Sequence, residues 1–146
     1  MLYPMKRKVC TTCNENKPVD HFDQDVRYRS GYRSQCKECR LITLRRASLA
    51  SHLKRAYGAT IEWYDQKLEE QGGVCAICKQ KETRRSRPVT QAGVRSLKVT
   101  RLSVDHDHDT GELRGLLCQR CNIAIGHLMD DLEYLKNAIA YIEKYR

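Results

Sequence analysis

An α+β chain of two small, metal-stapled units is the fold the sequence predicts, on three observations. All eight cysteines fall in four C-x2-C pairs, at 10/13, 36/39, 75/78 and 118/121. Hydrophobic residues make up 40% of the 146 and the mean hydropathy is −0.68, too lean for one large packed core. The stretch V-D-H-D-H-D-T-G-E-L-R-G-L-L-C-Q-R-C-N, from Val104 to Asn122, reads as strand, turn, strand and helix start. It sets soft thiolates beside imidazoles and hard oxygen donors.

The cysteine pairs read as zinc knuckles. A disulfide framework requires an oxidising compartment, and the N-terminus, Met1 to Lys8, has no apolar segment to direct export. No stretch approaches the ~18 apolar residues of a membrane span. A cytoplasmic protein with two structural zinc ions and no membrane partner is the expectation. Cys10, Cys13, Cys36 and Cys39 form one ligand set; Cys75, Cys78, Cys118 and Cys121 form the other, with 39 residues between Cys78 and Cys118.

Residues 1–40 make the first unit, a zinc-ribbon-like module with turns at Lys17-Pro18 and Ser30-Gly31-Tyr32. So short a segment needs metal to supply folding free energy. Residues 41–58 are a basic connecting helix, predicted from 40 to 57, with Leu41, Leu44, Leu49, Leu53 and Tyr57 near one stripe and Gly58 as its stop. Residues 59–146 form the second unit. Thr60 is placed to cap a helix with the apolar face Ile61, Tyr64 and Leu68, ended by Gly72-Gly73. Trp63 is expected in packing rather than as a stacking platform. After Cys75-Ala-Ile-Cys78, residues 79–96 read as a basic insertion. A strand is predicted from Leu97 to Val104, a turn at Thr110-Gly111, and a return strand from Leu113 to Leu117. A helix from Gln119 to about Leu128 carries Asn122 in its first turn. A last helix, Asp130 to Tyr145, sets Leu132, Leu135, Ile139 and Ile142 on one face.

The formal charge of +9 is unevenly placed. Residues 1–58 hold 13 Lys and Arg against 5 Asp and Glu, and residues 59–146 hold 14 against 13. An excess of +8 in the first part against +1 in the second favours a polyanion, with nucleic acid the default. Arg27, Arg29 and Arg33 interleave with Tyr28 and Tyr32, which suits phosphate contact with stacking or, equally, a loop whose tyrosines cover the metal. Arg84, Arg85 and Arg87 crowd the insertion, and Arg114 lies on the return strand. All seven arginines are candidate DNA contacts.

Asp and Asn oxygens suit magnesium or manganese, whereas thiolates select zinc. The stretch from Val104 to Asn122 therefore suggests a scaffold metal that carries a working one. A calcium loop fits Asp105, Asp107 and Asp109 but fails at Thr110, where glycine is needed, and at Leu116, which cannot ligate. Strand alternation sends Asp105 and His106 to opposite sides. Asp107 is expected to orient a histidine or Arg114, and Asp109 to serve the turn with Thr110.

The motif D-H-D-H-x-T-G-x-x-R-G-L-L-C-x-x-C-N, preceded by G-G-V-C-A-I-C, resembles the recombination endonuclease VII family of bacteriophages, within the His-Me finger (HNH-like) nucleases. The resemblance spans roughly residues 61 to 142. It implies a ββα-metal core in which Asp105 and Asn122 hold one catalytic Mg2+ or Mn2+ and His106 takes a proton from the attacking water. His108, two residues on and on the same side as His106 if the strand continues, is assigned to phosphate contact or transition-state stabilisation. The implied activity is metal-dependent DNA phosphodiester hydrolysis, leaving 5′-phosphate and 3′-hydroxyl ends, in a phage- or prophage-type enzyme. The chain stops soon after its last helix, so nicking or cutting of duplex DNA is expected as much as resolution of branched DNA, by a monomer or homodimer. The competing reading is a non-catalytic zinc protein that binds DNA or RNA. It would use the knuckles and the charge, but has no use for Asp105, His106 and Asn122 together.

Overall fold

The computed structural model describes residues 6–84 and 101–146. The chain divides into two compact units, Met1–Arg55 and Ala56–Arg146. In the first, strands β1 (Arg7–Val9) and β2 (Asn16–Pro18) pair antiparallel around the first knuckle. A 3-10 turn, Val19–His21, leads to a second hairpin of β3 (Phe22–Gln24) and β4 (Tyr32–Cys36), and helix α1 (Lys37–Tyr57) follows without a break. Buried Cys10, Phe22 and Cys36 form the core, with Cys13, Tyr32 and Cys39 packed against it. Tyr32 thus covers the cysteine cluster, while Tyr28 is exposed.

Helix α1 begins three residues before the sequence pattern suggests. Its apolar stripe starts at Leu41, but Cys39 has to stand one turn beyond Cys36, so helical backbone is required from Lys37. Only part of the stripe is covered: Leu53 is buried, whereas Leu41 and Leu44 are exposed.

The second unit contains α2 (Ile61–Glu70), β5 (Ser103–His106), β6 (Leu113–Leu117), α3 (Gln119–His127) and α4 (Leu132–Lys144). Thr60 caps α2, its hydroxyl oxygen accepting from the Trp63 amide at 3.1 Å. Gly72 and Gly73, both at positive φ, end the helix. Tyr64 is the buried aromatic of α2, its hydroxyl donating to the Leu102 carbonyl at 2.9 Å; Trp63 is half-buried. Leu102, Val104, Leu116, Leu117 and Cys118 complete the core. Of the predicted strand from Leu97, residues 97–100 lie outside the described residues, and the ladder runs from Ser103 to His106. Helix α4 is capped by Asp131, which accepts from the amides of Glu133 and Tyr134. None of its residues is buried, and Leu132, Ile139 and Ile142 are exposed.

The two units repeat one wiring scheme. The amide of Cys10 donates to Glu15 O and that of Asn14 to Cys10 O; in the second unit Cys75 N donates to Gln80 O and Lys79 N to Cys75 O. The residue after each knuckle, Asn14 or Lys79, sits at φ 57. Thr11 N bonds Ser34 O and Ala76 N bonds Leu116 O, in each case two residues before the third cysteine. A hairpin, a cysteine at the strand end and a helix carrying the fourth cysteine then follow in both.

One side chain fastens the second knuckle to its hairpin. Gln71 donates from Nε2 to the carbonyls of Val74 and Leu116, each at 2.8 Å, and its Oε1 accepts from the Leu116 amide at 2.9 Å. It acts as a one-residue strand on the edge of β6. Gly115 gives it room, since a Cβ there would lie 3.2 Å from Oε1. Gln71→Ala would leave the buried Leu116 amide without this acceptor. Stability measured by denaturant unfolding of zinc-loaded protein should fall by about 1–3 kcal/mol, the cost of an unsatisfied buried donor. An unchanged midpoint would contradict this role.

Candidate active site

The strand–helix junction after β6 is built on cysteine. Cys118 is the N-cap of α3 and Cys121 lies in its first turn, so the C-x2-C spacing puts one thiol on each side of the junction. Cys75, Cys78, Cys118 and Cys121 bring their sulfurs within 4.8 Å of one another, and so do Cys10, Cys13, Cys36 and Cys39. The Sγ atoms of Cys78 and Cys118 are 3.7 Å apart. A tetrahedron with Zn–S bonds of ~2.3 Å has edges of about 3.8 Å, so the donor set fits that ion. Among the described residues, these are the groups in which three or more Cys, His, Asp or Glu side chains converge as ligands.

The thiols are electrostatically unequal. Burial pushes Cys75 up, but backbone N–H groups of Cys118, Cys78 and Ile77 outweigh it and bring the thiol down to about 6. Burial and the neighbouring Cys118 sulfur push Cys121 up to about 12. In the first unit Cys10 also falls to about 6, because N–H groups of Cys13, Cys36 and Thr12 outweigh its burial. Each cluster therefore seats one thiolate on backbone donors and retains a proton elsewhere, which a bound cation would displace.

The N-terminus of α3 has no acidic residue of its own in the first turn and no cap from Cys118. Glu82 supplies both functions from outside the helix, its Oε2 accepting from the Gln119 amide at 2.8 Å. Asn122 is held in the first turn by its amide, which donates to Cys118 O at 3.0 Å. Helix α3 packs on both β5 and β6, so Asn122 is presented by an element that rests on the Asp105 strand.

Asp105 is the buried acidic residue of the hairpin, 9% exposed. The ladder shifts register between Asp105, opposite Gly115, and His106, opposite Leu113. Arg114 is skipped in the pairing, and the bulge turns its side chain onto Asp105. Arg114 donates from Nε to Asp105 Oδ2 at 2.8 Å and from Nη2 to Oδ1 at 3.1 Å, and Nη2 also reaches Asp130 Oδ2 at 2.9 Å. Both carboxylates hold the guanidinium firmly protonated, Asp105 more strongly than Asp130. His106 is half-buried, with the Tyr57 ring edge-on at 5.5 Å and the His108 ring at 4.8 Å. His108 is exposed, its Nε2 4.0 Å from Asp130 Oδ2.

Asp107 caps the turn, where a histidine or Arg114 was the expected partner. Its Oδ1 accepts from the amides of Asp109 and Thr110 at 3.0 and 2.8 Å, which hold its carboxyl below the usual range. The reason is local: an Asp entering a tight turn finds backbone donors two and three residues on, nearer than any side chain. Arg114 is engaged instead by Asp105 and Asp130.

The candidate DNA-contacting arginines differ in setting. Arg29 is exposed. Arg27 and Arg33 share Asp25, each with an Nη2–Oδ2 distance of 2.8 Å. Arg84 is exposed and its amide donates to Glu82, while Arg85 and Arg87 lie outside the described residues. His21, His52 and His127 are exposed. Sequence reasoning missed Gln71, Glu82, Tyr57 and Asp130 as shapers of this region. Periodicity carries no signal for them, because their partners lie across the fold rather than along an element.

Residues 50–144 match the family model for recombination endonuclease VII. The chain is 35% identical over 140 residues to the Gene 59 protein of Mycobacterium phage L5, covering 94% of this chain and 74% of that one. It is 34% identical over 145 residues to the Gene 59 protein of Mycobacterium phage D29, covering 95% and 75%. Among solved structures, the ββα-Me type II restriction endonuclease Hpy99I is 27% identical, with a TM-score of 0.36, covering 96% of this chain and 66% of that one.

Purified protein should contain about two zinc ions per chain, one for each four-cysteine set. Cys75→Ser and Cys118→Ser should each lower the count to about one and lose the circular-dichroism signal and melting transition of the second unit. A Cys75→Ser protein with the parental melting temperature would show that the cluster does not support the hairpin–helix junction.

Proposed function

The chain belongs to the recombination endonuclease VII family, and we propose that its hairpin–helix unit hydrolyses DNA phosphodiester bonds with a single divalent ion. Endonuclease activity on DNA follows from the family; the metal, the residue roles and the substrate form are our reading. One observation carries it. Asp105 and His106 end a strand whose partner runs directly into the helix that bears Asn122, and four cysteines pin that junction.

Asp105 and Asn122 would hold the catalytic ion, which suits Mg2+ or Mn2+ because both donors are hard oxygens and both ions retain water in the remaining positions. When bound, the ion would supply charge stabilisation at the scissile phosphate and the departing oxygen. His106 accepts a proton from the attacking water on a ring nitrogen as the water oxygen bonds to phosphorus; the 3′-oxygen leaves and takes a proton from solvent, giving 3′-hydroxyl and 5′-phosphate ends. The rings of Tyr57 and His108 both pack against the imidazole and restrict it, so the base is oriented before substrate arrives. His108, exposed at the mouth of the site, contacts the phosphate.

DNA is drawn by the basic first unit and by arginines around the second. Arg29 is exposed, whereas Asp25 offsets part of the charge on Arg27 and Arg33. By sequence Arg84, Arg85 and Arg87 add positive charge to the second unit, and Arg114 adds a cation at the site itself. Both four-cysteine sets hold structural zinc. The substrate is duplex or branched DNA, acted on by a monomer or homodimer of phage or prophage type in the cytosol. No helix among the described residues is long and apolar enough to cross a membrane.

His106→Ala should fold, retain zinc and bind DNA, yet cleave supercoiled plasmid at least ~10² more slowly, the lower end for a lost general base. Asn122→Ala should also cut poorly, with half-maximal activity moved to higher Mg2+. His108→Ala should cost less than His106→Ala. Parental cleavage by His106→Ala together with a dead His108→Ala would move the base by two residues. Parental cleavage by both would remove the site from this hairpin.

A further inference from the structure

The ionic arrangement around Asp105 does more than neutralise a buried acid. A site with one carboxylate and one amide as its protein ligands draws a divalent cation chiefly through that carboxylate. Here both carboxylate oxygens already receive donors from Arg114, at 2.8 and 3.1 Å. The guanidinium is therefore a resident cation on the group that the metal requires. It is not sealed in, because its side chain is 35% exposed and comes from a bulged position.

A second anchor waits beside it. Asp130 Oδ2 accepts from the same Nη2 at 2.9 Å, and the Asp130 side chain is 18% exposed. Asp130 lies between α3 and α4, where Met129 and Asp130 both adopt φ 54. Left-handed backbone at two successive non-glycine residues costs free energy, of a kind that concentrates at functional positions. A cleft of about 350 Å3 opens at this point, lined by Asp107, His108, Asp109, Arg114, Met129 and Asp130 among others. Asp130 therefore offers the guanidinium a second carboxylate partner beside the cleft.

Resting on the nuclease reading of Asp105, we propose that Arg114 and Asp130 form a charge latch on the metal site. Arg114 occupies Asp105 in the metal-free protein, and Asp130 receives it when a divalent ion takes Asp105. Asp130 is a positioning residue: it acts on the metal through Arg114. The latch keeps the buried carboxylate compensated between metal-binding events, which an unpaired buried charge would not tolerate. It also leaves a cation beside the cleft that a phosphate would enter.

The test is Mn2+ binding to zinc-loaded, full-length protein without DNA, followed by calorimetry. Arg114→Gln removes the competitor and should tighten Mn2+ binding about tenfold; Asp130→Asn removes the second anchor and should weaken it about tenfold, the scale on which outer partners tune a metal site. In the Arg114→Gln/Asp130→Asn double variant, the weakening caused by Asp130→Asn should vanish, because no arginine remains to be received. Arg114→Gln binding no tighter than the parent overturns the latch. So does an Asp130→Asn effect that persists in full in the double variant, which would mark a simple field of charge. If Arg114→Gln fails to fold, Asp130→Asn decides alone, and parental affinity there overturns the proposal. Asp105→Ala separates the two readings: binding that survives this change overturns the metal site and the latch together, whereas binding lost there but unmoved by Arg114→Gln overturns the latch alone.

Discussion

Four sulfur atoms around one point fix the relation between the last strand of the hairpin and the helix that follows it. Cys118 directly follows the strand at the N-cap position of the helix, Cys121 stands in its first turn, and both meet the knuckle of Cys75 and Cys78. Everything proposed for the site depends on that junction, since Asp105 lies on the paired strand and Asn122 directly follows Cys121. The apolar core is small, so a metal-defined joint is a more economical way to hold such a geometry than packing alone. Gln71 and Glu82 reinforce the joint from either side, one on the edge of β6 and the other on the N-terminus of α3. Both are polar side chains substituting for backbone, as a strand partner and as a helix cap.

The same wiring occurs in the first unit, with different chemistry in the corresponding places. Its knuckle makes the same backbone bonds, and its hairpin also leads through one cysteine into a helix that carries the other. An Asp–Arg pair is kept as well, Asp25 with Arg33 beside Asp105 with Arg114. The residue after the fourth cysteine is Arg40 where the second unit has Asn122, and Arg40 is bound to Asp23 at 2.7 Å. No histidine lies in the hairpin of the first unit after Phe22. A shared scaffold therefore presents hard oxygen and imidazole donors in one unit and basic side chains in the other. This division matches the charge asymmetry along the chain.

Much of the second unit was legible in the sequence because its signals are local. Cysteine spacing marks the ligand sets, Thr60 marks the start of α2, Gly72-Gly73 its end, and Leu113 to Leu117 reads directly as the return strand. Helix α1 was misread at its start because hydrophobic periodicity begins later than the cysteine geometry demands. The pairing of Asp105 was not legible, because a bulge at Arg114 depends on register across the hairpin rather than on composition. Asp107 was misassigned for the opposite reason: its partners are backbone amides so near in sequence that no side-chain argument reaches them. Asp130, expected to open the last helix, lies instead in the turn before Asp131 caps α4, and no motif marks it as a partner of Arg114.

In the proposed site a zinc-held hairpin–helix carries a separate, exchangeable working metal. The most direct test is plasmid cleavage by protein treated briefly with a chelator, with zinc content measured in the same sample. The treated sample should give no nicked circles while about two zinc ions per chain remain, and nicking should return on adding Mg2+ or Mn2+. Cleavage that continues in the treated, zinc-replete protein without added metal would contradict a separate working metal, as would failure of both ions to restore nicking.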